Sequence, residues 1–331
     1  MKDLLRTADL TVADFNLLLD LSQELKQTPL KHHGFLTGKT VVLYFAKPST
    51  RTRLSFETAV ARLGGMPLTV GSNELQVSRG ETLEDTAKVV SRYAEAFVVR
   101  TFADDDVKLM AESSSIPVIN ALTDGHHPCQ SLADILTLKQ HWGTFAGKKL
   151  AYVGYSNNVA HSLMEACALA GIDIVLASPD GYHLDNDIVA GAQAIAAQQG
   201  SSIVLTEDPL EAVTGAHAIY TDAWISMGDS ETMWASQVSA LTPYRVNQTL
   251  MNYAAPGAIF MHCLPAHRGD EVTAEVIDGP QSVVFDQAEN RLHTSHALLY
   301  ALISGLVKGH QAQVTIAVNE EVPIGAKALI G

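Results

Sequence analysis

An α/β fold with two doubly wound parallel-sheet domains follows from three features of the sequence. Short apolar runs alternate with segments of helical spacing along nearly the whole chain, a pattern that calls for parallel sheets covered by helices on both faces. The alternation falls into two series, broken near residues 143–148. The conspicuous polar clusters stand directly after apolar runs, at the strand ends where open α/β sheets bind ligands.

In the first series, Thr11-Val12-Ala13-Asp14 resembles a capping box and opens a helix to about Glu24, with Phe15, Leu18, Leu19 and Leu21 apolar. The run Val41-Val42-Leu43-Tyr44-Phe45 predicts a buried strand, and residues 54–63 a helix that stops at Gly64-Gly65. Leu68-Thr69-Val70 is a short strand, 71–80 a polar loop, and 81–93 a helix. Strands follow at 96–100, which ends on the charged Arg100, and at 116–120. Pro128 fits the first turn of a helix that ends near Gly143.

The second series opens with the strand 150–154 and the turn Tyr155-Ser156-Asn157-Asn158. A helix over 159–170 is closed by Gly171, and a strand at 174–177 precedes an alanine-rich helix over 186–199. Strands at 203–205 and 218–221 flank a short helix, and 222–229 is a loop. Thr242-Pro243 predicts a helix to about Tyr253, residues 258–261 a strand, Val283-Val284-Phe285 a last strand, and 294–308 a final amphipathic helix. The segment 311–331 reads as a strand or an extension and carries no function.

The totals narrow the function. A chain of 331 residues that is 47% hydrophobic supports one large or two medium domains. A net charge of −14 and a pI near 5.3 argue against nucleic acid or an anionic membrane as partner. No stretch is apolar enough to span a bilayer, and Cys129, Cys167 and Cys263 lack paired or metal-ligand spacing. Together these predict a cytoplasmic protein with reduced cysteines.

Ser49-Thr50-Arg51-Thr52-Arg53 stands where a strand gives way to a helix N-terminus. Free backbone N–H groups and the positive end of the helix dipole favour an anion there. Hydroxyls and guanidinium forks suit phosphate oxygens. An N-cap flanked by solvated arginines is the plainer reading of the same residues.

In this order, Ser49-Thr50-Arg51-Thr52-Arg53, His127-Pro128-Cys129-Gln130 and His262-Cys263-Leu264-Pro265 resemble the aspartate/ornithine carbamoyltransferases. The loop Asp222-Ala223-Trp224-Ile225-Ser226-Met227-Gly228, Cys263 itself, and Glu289-Asn290-Arg291-Leu292-His293 are similar to the ornithine branch. The resemblance spans about residues 1–309. It implies carbamoyl transfer from carbamoyl phosphate to the δ-amine of L-ornithine, giving L-citrulline and phosphate, with no metal, cofactor or covalent intermediate. It implies a carbamoyl-phosphate-binding domain over 1–140, an ornithine-binding domain over 141–292, and two helices joining them. The last part of the chain, 293–331, would return to the first domain. The assembly it implies is a trimer, or a multiple of trimers, with sites between subunits.

The resemblance also assigns roles. Ser49, Thr50, Arg51 and Thr52 would hold the phosphate, with Gln76 lent by a neighbouring subunit. Thr52, Arg100 and His127 would face the carbonyl oxygen, Gln130 the carbamoyl NH₂, and Cys263, Leu264 and Arg291 the carbamoyl phosphate generally. Asn158, Asp222, Ser226 and Met227 would bind ornithine, whose δ-ammonium, with a pKa near ~10.4 like that of lysine, must lose a proton before attack. Asp222 and Cys263 are the residues expected to orient it. The plain readings are a surface ion pair of Arg100 with residues 104–106, an ordinary helix-start histidine at 127, an Arg291 salt bridge to Glu289 or Asp286, and buried cysteines. His262 and His293 form no recognisable zinc set. The turn Gly154-Tyr155-Ser156 departs from the acidic turn frequent in the family and bears on the ornithine subsite. Other readings are transfer to putrescine or acetylornithine, a non-catalytic carbamoyl-phosphate-binding paralogue, and a nucleotide-binding enzyme. The last lacks the second and third glycines of the dinucleotide fingerprint.

Overall fold

The computed structural model describes residues 1–225 and 231–309. The first domain is a parallel sheet of β1 (Thr40–Phe45), β2 (Met66–Gly71), β3 (Ala96–Arg100) and β4 (Val118–Leu122), in the order β2-β1-β3-β4. Its helices are α1 (Val12–Gln27), α2 (Arg51–Arg62), α3 (Leu83–Val90) and α4 (Asp104–Ser113). Then α5 (Pro128–Trp142) carries the chain out of the domain. The second domain is a parallel sheet of β5 (Lys149–Val153), β6 (Asp173–Ala177), β7 (Ile203–Thr206), β8 (Ala218–Thr221) and β9 (Ile259–His262), in the order β7-β6-β5-β8-β9. Around it lie α6 (Asn158–Ala170), α7 (Asn186–Gln199), α8 (Pro209–Val213), α9 (Glu231–Leu241), α10 (Gln248–Met251) and α11 (Ala274–Ile277). Finally α12 (Val284–Ile303) returns to the first domain and packs on α1, α2 and α5. Two helices, α5 and α12, therefore join two doubly wound halves.

Strand order fixes where a ligand can sit. From β1 the chain goes to β2 on one side and then to β3 on the other, so the order reverses between β1 and β3. In the second sheet it reverses between β5 and β8. Crevices open at such switch points, beyond the carboxyl ends of the strands. The first is bordered by residues 46–52 and Arg100, the second by residues 154–158 and Asp222.

Sequence signals account for much of this. Val41, Leu43, Phe97, Val98 and Val99 are fully buried, as a two-faced strand requires. Thr11 and Thr82 cap α1 and α3 by accepting the N–H of Asp14 and Asp85 at 3.1 Å each. Asn157 caps α6, and Gly171 closes it in a left-handed conformation. At the end of β5, Gly154 has φ +125°, and a Cβ there would stand 3.2 Å from Thr221 Oγ1 and 3.3 Å from Trp224 Nε1.

Several expectations are corrected. Val283-Val284-Phe285 is not a strand: Ser282 makes one bridge to Phe260, and the helix begins at Val284. The final helix therefore runs Val284–Ile303, not 294–308, and contains Arg291. Two β-branched residues at its entry imitate a strand. The expected helix over 242–253 is broken, because Arg245 is extended and Val246 N–H donates to Glu271 O at 2.9 Å, leaving a 3-10 turn and the short α10. The helix expected over 81–93 is shorter, Leu83–Val90, and the loop 71–80 holds a 3-10 turn, Gln76–Arg79. The helix α4 was not anticipated; three aspartates form its first turn, where the helix dipole favours them. The segment 311–331 lies outside the described residues.

Candidate active site

The segment Ser49–Arg53 lies, as expected, at the end of β1 and the start of α2. Thr50 occupies the N-cap position, yet its hydroxyl accepts no helix N–H, so the first amides of α2 have no side-chain cap. Thr52 is buried, Ser49 and Arg51 are half-buried, and Thr50 is exposed. Arg53 turns away and pairs with Glu57 at 2.9 Å. A cavity of about 500 Å³ lies beside the loop, walled by Lys47, Ser49, Arg53 and residues 69–74.

Arg100 ends β3 where the pairing with β4 slips between Val99 and Arg100, a shift that re-aims the side chain. It is only 6% exposed, and its Nε has no partner among the described residues. The surface ion pair with residues 104–106 is absent among them: Asp104 instead takes His126 and Thr123. Burial, then the nearby charges of Arg291 and Arg51, pull the Arg100 guanidinium down to about 10. The chain thus spends folding energy to keep cations together in a dry place. An anion of two charges would relieve that.

Arg291, on α12, is buried and makes none of the salt bridges considered for it among the described residues. Its Nη1 donates to Gln130 Oε1 at 2.5 Å and its Nη2 to Thr52 Oγ1 at 3.0 Å. Gln130 Nε2 donates to Asp134 Oδ1 at 2.8 Å. Gln287 then links Asp134 (2.7 Å) to His262 N–H (3.0 Å). The sequence reading missed Asp134 and Gln287. One signal was available: Gln130 and Asp134 stand at i, i+4 on one helix face.

Asp134 is fully buried, and burial pushes its carboxyl from the ordinary 3.8 up to about 7, against hydrogen bonds from Gln130, Gln287 and Tyr220 and the Arg291 charge. Between about pH 4 and 7 the native protein therefore holds a proton the unfolded chain has released. The stability it contributes is complete below about pH 4 and lost as pH rises through about 7. Urea midpoints of wild type and Asp134→Asn at about pH 5 and about pH 8 check this. The wild type should lose more stability across the window than the variant; equal losses would contradict the assignment.

His127 precedes Pro128 at the N-cap of α5 and is buried. Burial and the charges of Arg291, Arg100 and Arg51 hold its imidazole well below the usual range, so it is a neutral ring with one N–H to give.

The second switch point supplies the opposite charge. Asp222 follows β8; its Oδ1 accepts from the Cys263 thiol at 2.8 Å and from Ala223 N–H at 2.8 Å, and its Oδ2 accepts from Asn157 Nδ2 at 2.7 Å. Burial and the adjacent Asp222 push the Cys263 thiol up, so it is an S–H donor in this state rather than a thiolate. Leu264 takes the left-handed φ of 60°, uncommon for a branched residue, and its N–H donates to His262 Nδ1 at 2.8 Å. Asn158, read as an ornithine ligand, donates here to Thr123 O at 2.6 Å. Asn157, which was not in the predicted set, is the residue that steadies Asp222. Ser226 and Met227 lie outside the described residues. Gln76 is exposed on its 3-10 turn, and its side chain joins none of these hydrogen bonds. Tyr155 meets Tyr182 edge to face, with centroids 5.7 Å apart.

The two halves meet at this site through Gln287, which joins Asp134 on α5 to the His262 N–H at the end of β9. Asp222, His262 and Cys263 bring one ligand atom each within 4.8 Å of one another. Both nitrogens of His262 are engaged, however, with Leu264 N–H and with Glu271 at 3.2 Å, so the trio is arranged for hydrogen bonding. A larger cleft of about 670 Å³, between the N-terminal segment and α4, contains none of the residues assigned to substrate.

Residues 2–140 match the family described as aspartate/ornithine carbamoyltransferase, carbamoyl-P binding domain, and residues 146–302 match its Asp/Orn binding domain. The chain belongs to the aspartate/ornithine carbamoyltransferase family. It is 50% identical over 302 residues to the ornithine carbamoyltransferase of Bacillus subtilis, covering 91% of this chain and 94% of that one. It is similar to the solved ornithine carbamoyltransferase of Pyrococcus furiosus, with TM-score 0.88, 48% identity, and coverage of 93% and 98%. A third likeness is to the ornithine transcarbamoylase of Giardia lamblia, with TM-score 0.84, 35% identity, and coverage of 91% and 98%. The two matches part over residues 141–145, at the end of α5 and in the stretch that leads to β5.

Proposed function

We propose that this carbamoyltransferase moves the carbamoyl group of carbamoyl phosphate to the δ-amine of L-ornithine, releasing L-citrulline and phosphate. The observation that carries the proposal is the pairing of a buried cation cluster at one switch point with the Asp222–Cys263 pair at the other. The phosphate dianion is held by Ser49, Thr50, Arg51 and Thr52 and by the uncapped amides of α2. Arg100, Thr52 and the neutral His127 donate to the carbonyl oxygen as negative charge develops on it. Gln130 turns its amide oxygen towards the carbamoyl NH₂ while still accepting from Arg291. Asp222 receives the δ-ammonium in place of the Cys263 thiol and orients the amine after it loses its proton. Asn158, Ser226 and Met227 hold the amino-acid head, and Leu264 lines the carbamoyl side. The rate comes from positioning and electrostatics.

The assembly we propose is a trimer acting in the cytoplasm, with Gln76 reaching a neighbour's site; its exposure in a single chain supports that reading. No helix of the described residues is long and apolar enough to cross a membrane. Mixing inactive Gln76→Ala and inactive Arg100→Ala proteins, then dissociating and reassembling them, should restore part of the activity. Each mixed trimer would contain one site carrying neither change. No recovery after verified mixing would place Gln76 in its own subunit's site or outside catalysis.

Product formation from carbamoyl phosphate with L-ornithine, putrescine, acetylornithine and L-aspartate in parallel tests the function. Citrulline from ornithine alone is expected. Turnover only with another amine would discard the roles given to Asp222, Ser226 and Met227. Saturable carbamoyl phosphate binding without turnover would make the chain a non-catalytic paralogue.

A further inference from the structure

One face of α6 carries the polar residues Asn158, His161, Ser162 and Glu165, at the helical spacings i, i+3, i+4 and i+7. The helix is otherwise apolar and buried, with Leu163, Met164, Ala166 and Cys167 each fully inside. Ser162 and Glu165 are fully buried too. All four residues turn to the same short segment of the other domain, residues 123–127. Asn158 Nδ2 donates to Thr123 O at 2.6 Å, and His161 Nδ1 lies 3.0 Å from Gly125 O. Ser162 Oγ accepts the backbone N–H of His127 at 2.8 Å, and Glu165 Oε1 lies 3.9 Å from His126 Nε2. Three of the four therefore address the main chain at alternate residues, 123, 125 and 127.

The His127 ring has little else to hold it. Its Nδ1 is buried with no partner among the described residues. Its side chain caps nothing, and Pro128 behind it has no N–H. The direction of the imidazole is thus set by its backbone, and the backbone N–H is set by Ser162. His161 is itself fixed from behind, because its Nε2 accepts Asp185 N–H at 3.1 Å, which leaves Nδ1 as the donor to Gly125. Glu165 anchors the stripe further along by accepting Arg6 Nε and Ala8 N–H at 3.0 Å each.

We propose that the Asn158–His161–Ser162–Glu165 face of α6 is a positioning device that sets the catalytic loop 123–127 from the opposite domain, with Ser162 as the residue that fixes His127. It makes His127 geometry depend on the spacing of the two domains. The inference rests on the role given to His127 above, and its test separates the two.

The test is a double-mutant cycle on kcat, with Ser162→Ala, His127→Ala and the pair, and KM recorded separately for each substrate. Ser162→Ala should lower kcat about 10-fold or more, since a shift of about 1 Å can cost that much, and leave both KM values within about 2-fold. In the His127→Ala background the same change should cost nothing further, because its effect passes through His127. Ser162→Thr keeps the acceptor and should recover most of the loss. If Ser162→Ala does not fold, His161→Phe serves in the same cycle, with a smaller loss and the same lack of additivity. Equal costs in both backgrounds, or a wild-type kcat for the serine variant beside a slow His127→Ala, would overturn the positioning role alone. A wild-type kcat for His127→Ala would overturn the role of His127 and this inference with it.

Discussion

Arg100→Met is expected to lower kcat by roughly 10²-fold or more while raising the temperature of unfolding. On the role proposed for Arg100, the loss follows from removing a donor aimed at the developing charge of the carbonyl oxygen. The gain follows from the position of the side chain. Arg100 is 6% exposed, its Nε has no partner among the described residues, and it shares its surroundings with Arg51 and Arg291. A buried cation without a counter-charge is costly, and apolar replacements of similar volume often stabilise such sites. Methionine fills the space and removes the repulsion. Residual activity of the variant and its melting curve are the two readouts. Near-wild-type turnover would remove Arg100 from the mechanism. A lowered melting temperature would mean that Arg100 is a structural ion rather than a charge held ready for substrate.

Asp222→Asn is expected to reduce kcat/KM for ornithine by roughly 10²- to 10³-fold, within the range typical of positioned acid–base groups. Carbamoyl phosphate affinity should stay within about 2-fold, because the proposed phosphate site lies in the other domain. The substitution keeps an acceptor for the Cys263 thiol and the Ala223 amide, whose bonds to Asp222 are both 2.8 Å. On the role proposed for Asp222, what it removes is the charge that receives the δ-ammonium. Asn157, which donates to Asp222 Oδ2 at 2.7 Å, would then face an amide, so some of the loss comes through displaced geometry. Initial rates at saturating carbamoyl phosphate give the ornithine parameter, and titration calorimetry gives the other affinity. An unchanged kcat/KM for ornithine would move the amine subsite away from Asp222.

The fold was legible where burial dictates residue type on both faces of a strand. Val41–Phe45 and Ala96–Val99 could be placed from their apolar runs alone, and so could the polar residues that follow them. Arg100 stood out because a charge after such a run has to be explained. Local periodicity gave less where tertiary contacts decide. Val283 and Val284 look like a strand but are the entry to α12, whose register is set by packing on α2 and α5. The break at Arg245–Val246 depends on a hydrogen bond to Glu271, 25 residues away in sequence, which no local pattern encodes. The site divides in the same way. Residues that must touch substrate carry conspicuous chemistry in short motifs. Those that hold them, Asn157, Asp134, Gln287 and Ser162, are ordinary polar residues on helices or helix caps. Ser162 meets His127 only where the two domains come together, whereas Asn157 meets Asp222 within one domain and Asp134 meets Gln130 on one helix.

In the function proposed above, the cation cluster of the first domain and the Asp222–Cys263 pair of the second hold the two ends of one reacting assembly. A crystal structure with an analogue in which a phosphonoacetyl group is bonded to the δ-nitrogen of ornithine tests it most directly. The phosphonate is expected on Ser49–Thr52 and the α2 N-terminus, the carbonyl oxygen at Arg100 and His127, and the δ-nitrogen beside Asp222 and Cys263. A phosphonate bound away from Arg51 and Arg100, or an ornithine chain running away from Asp222, would contradict it.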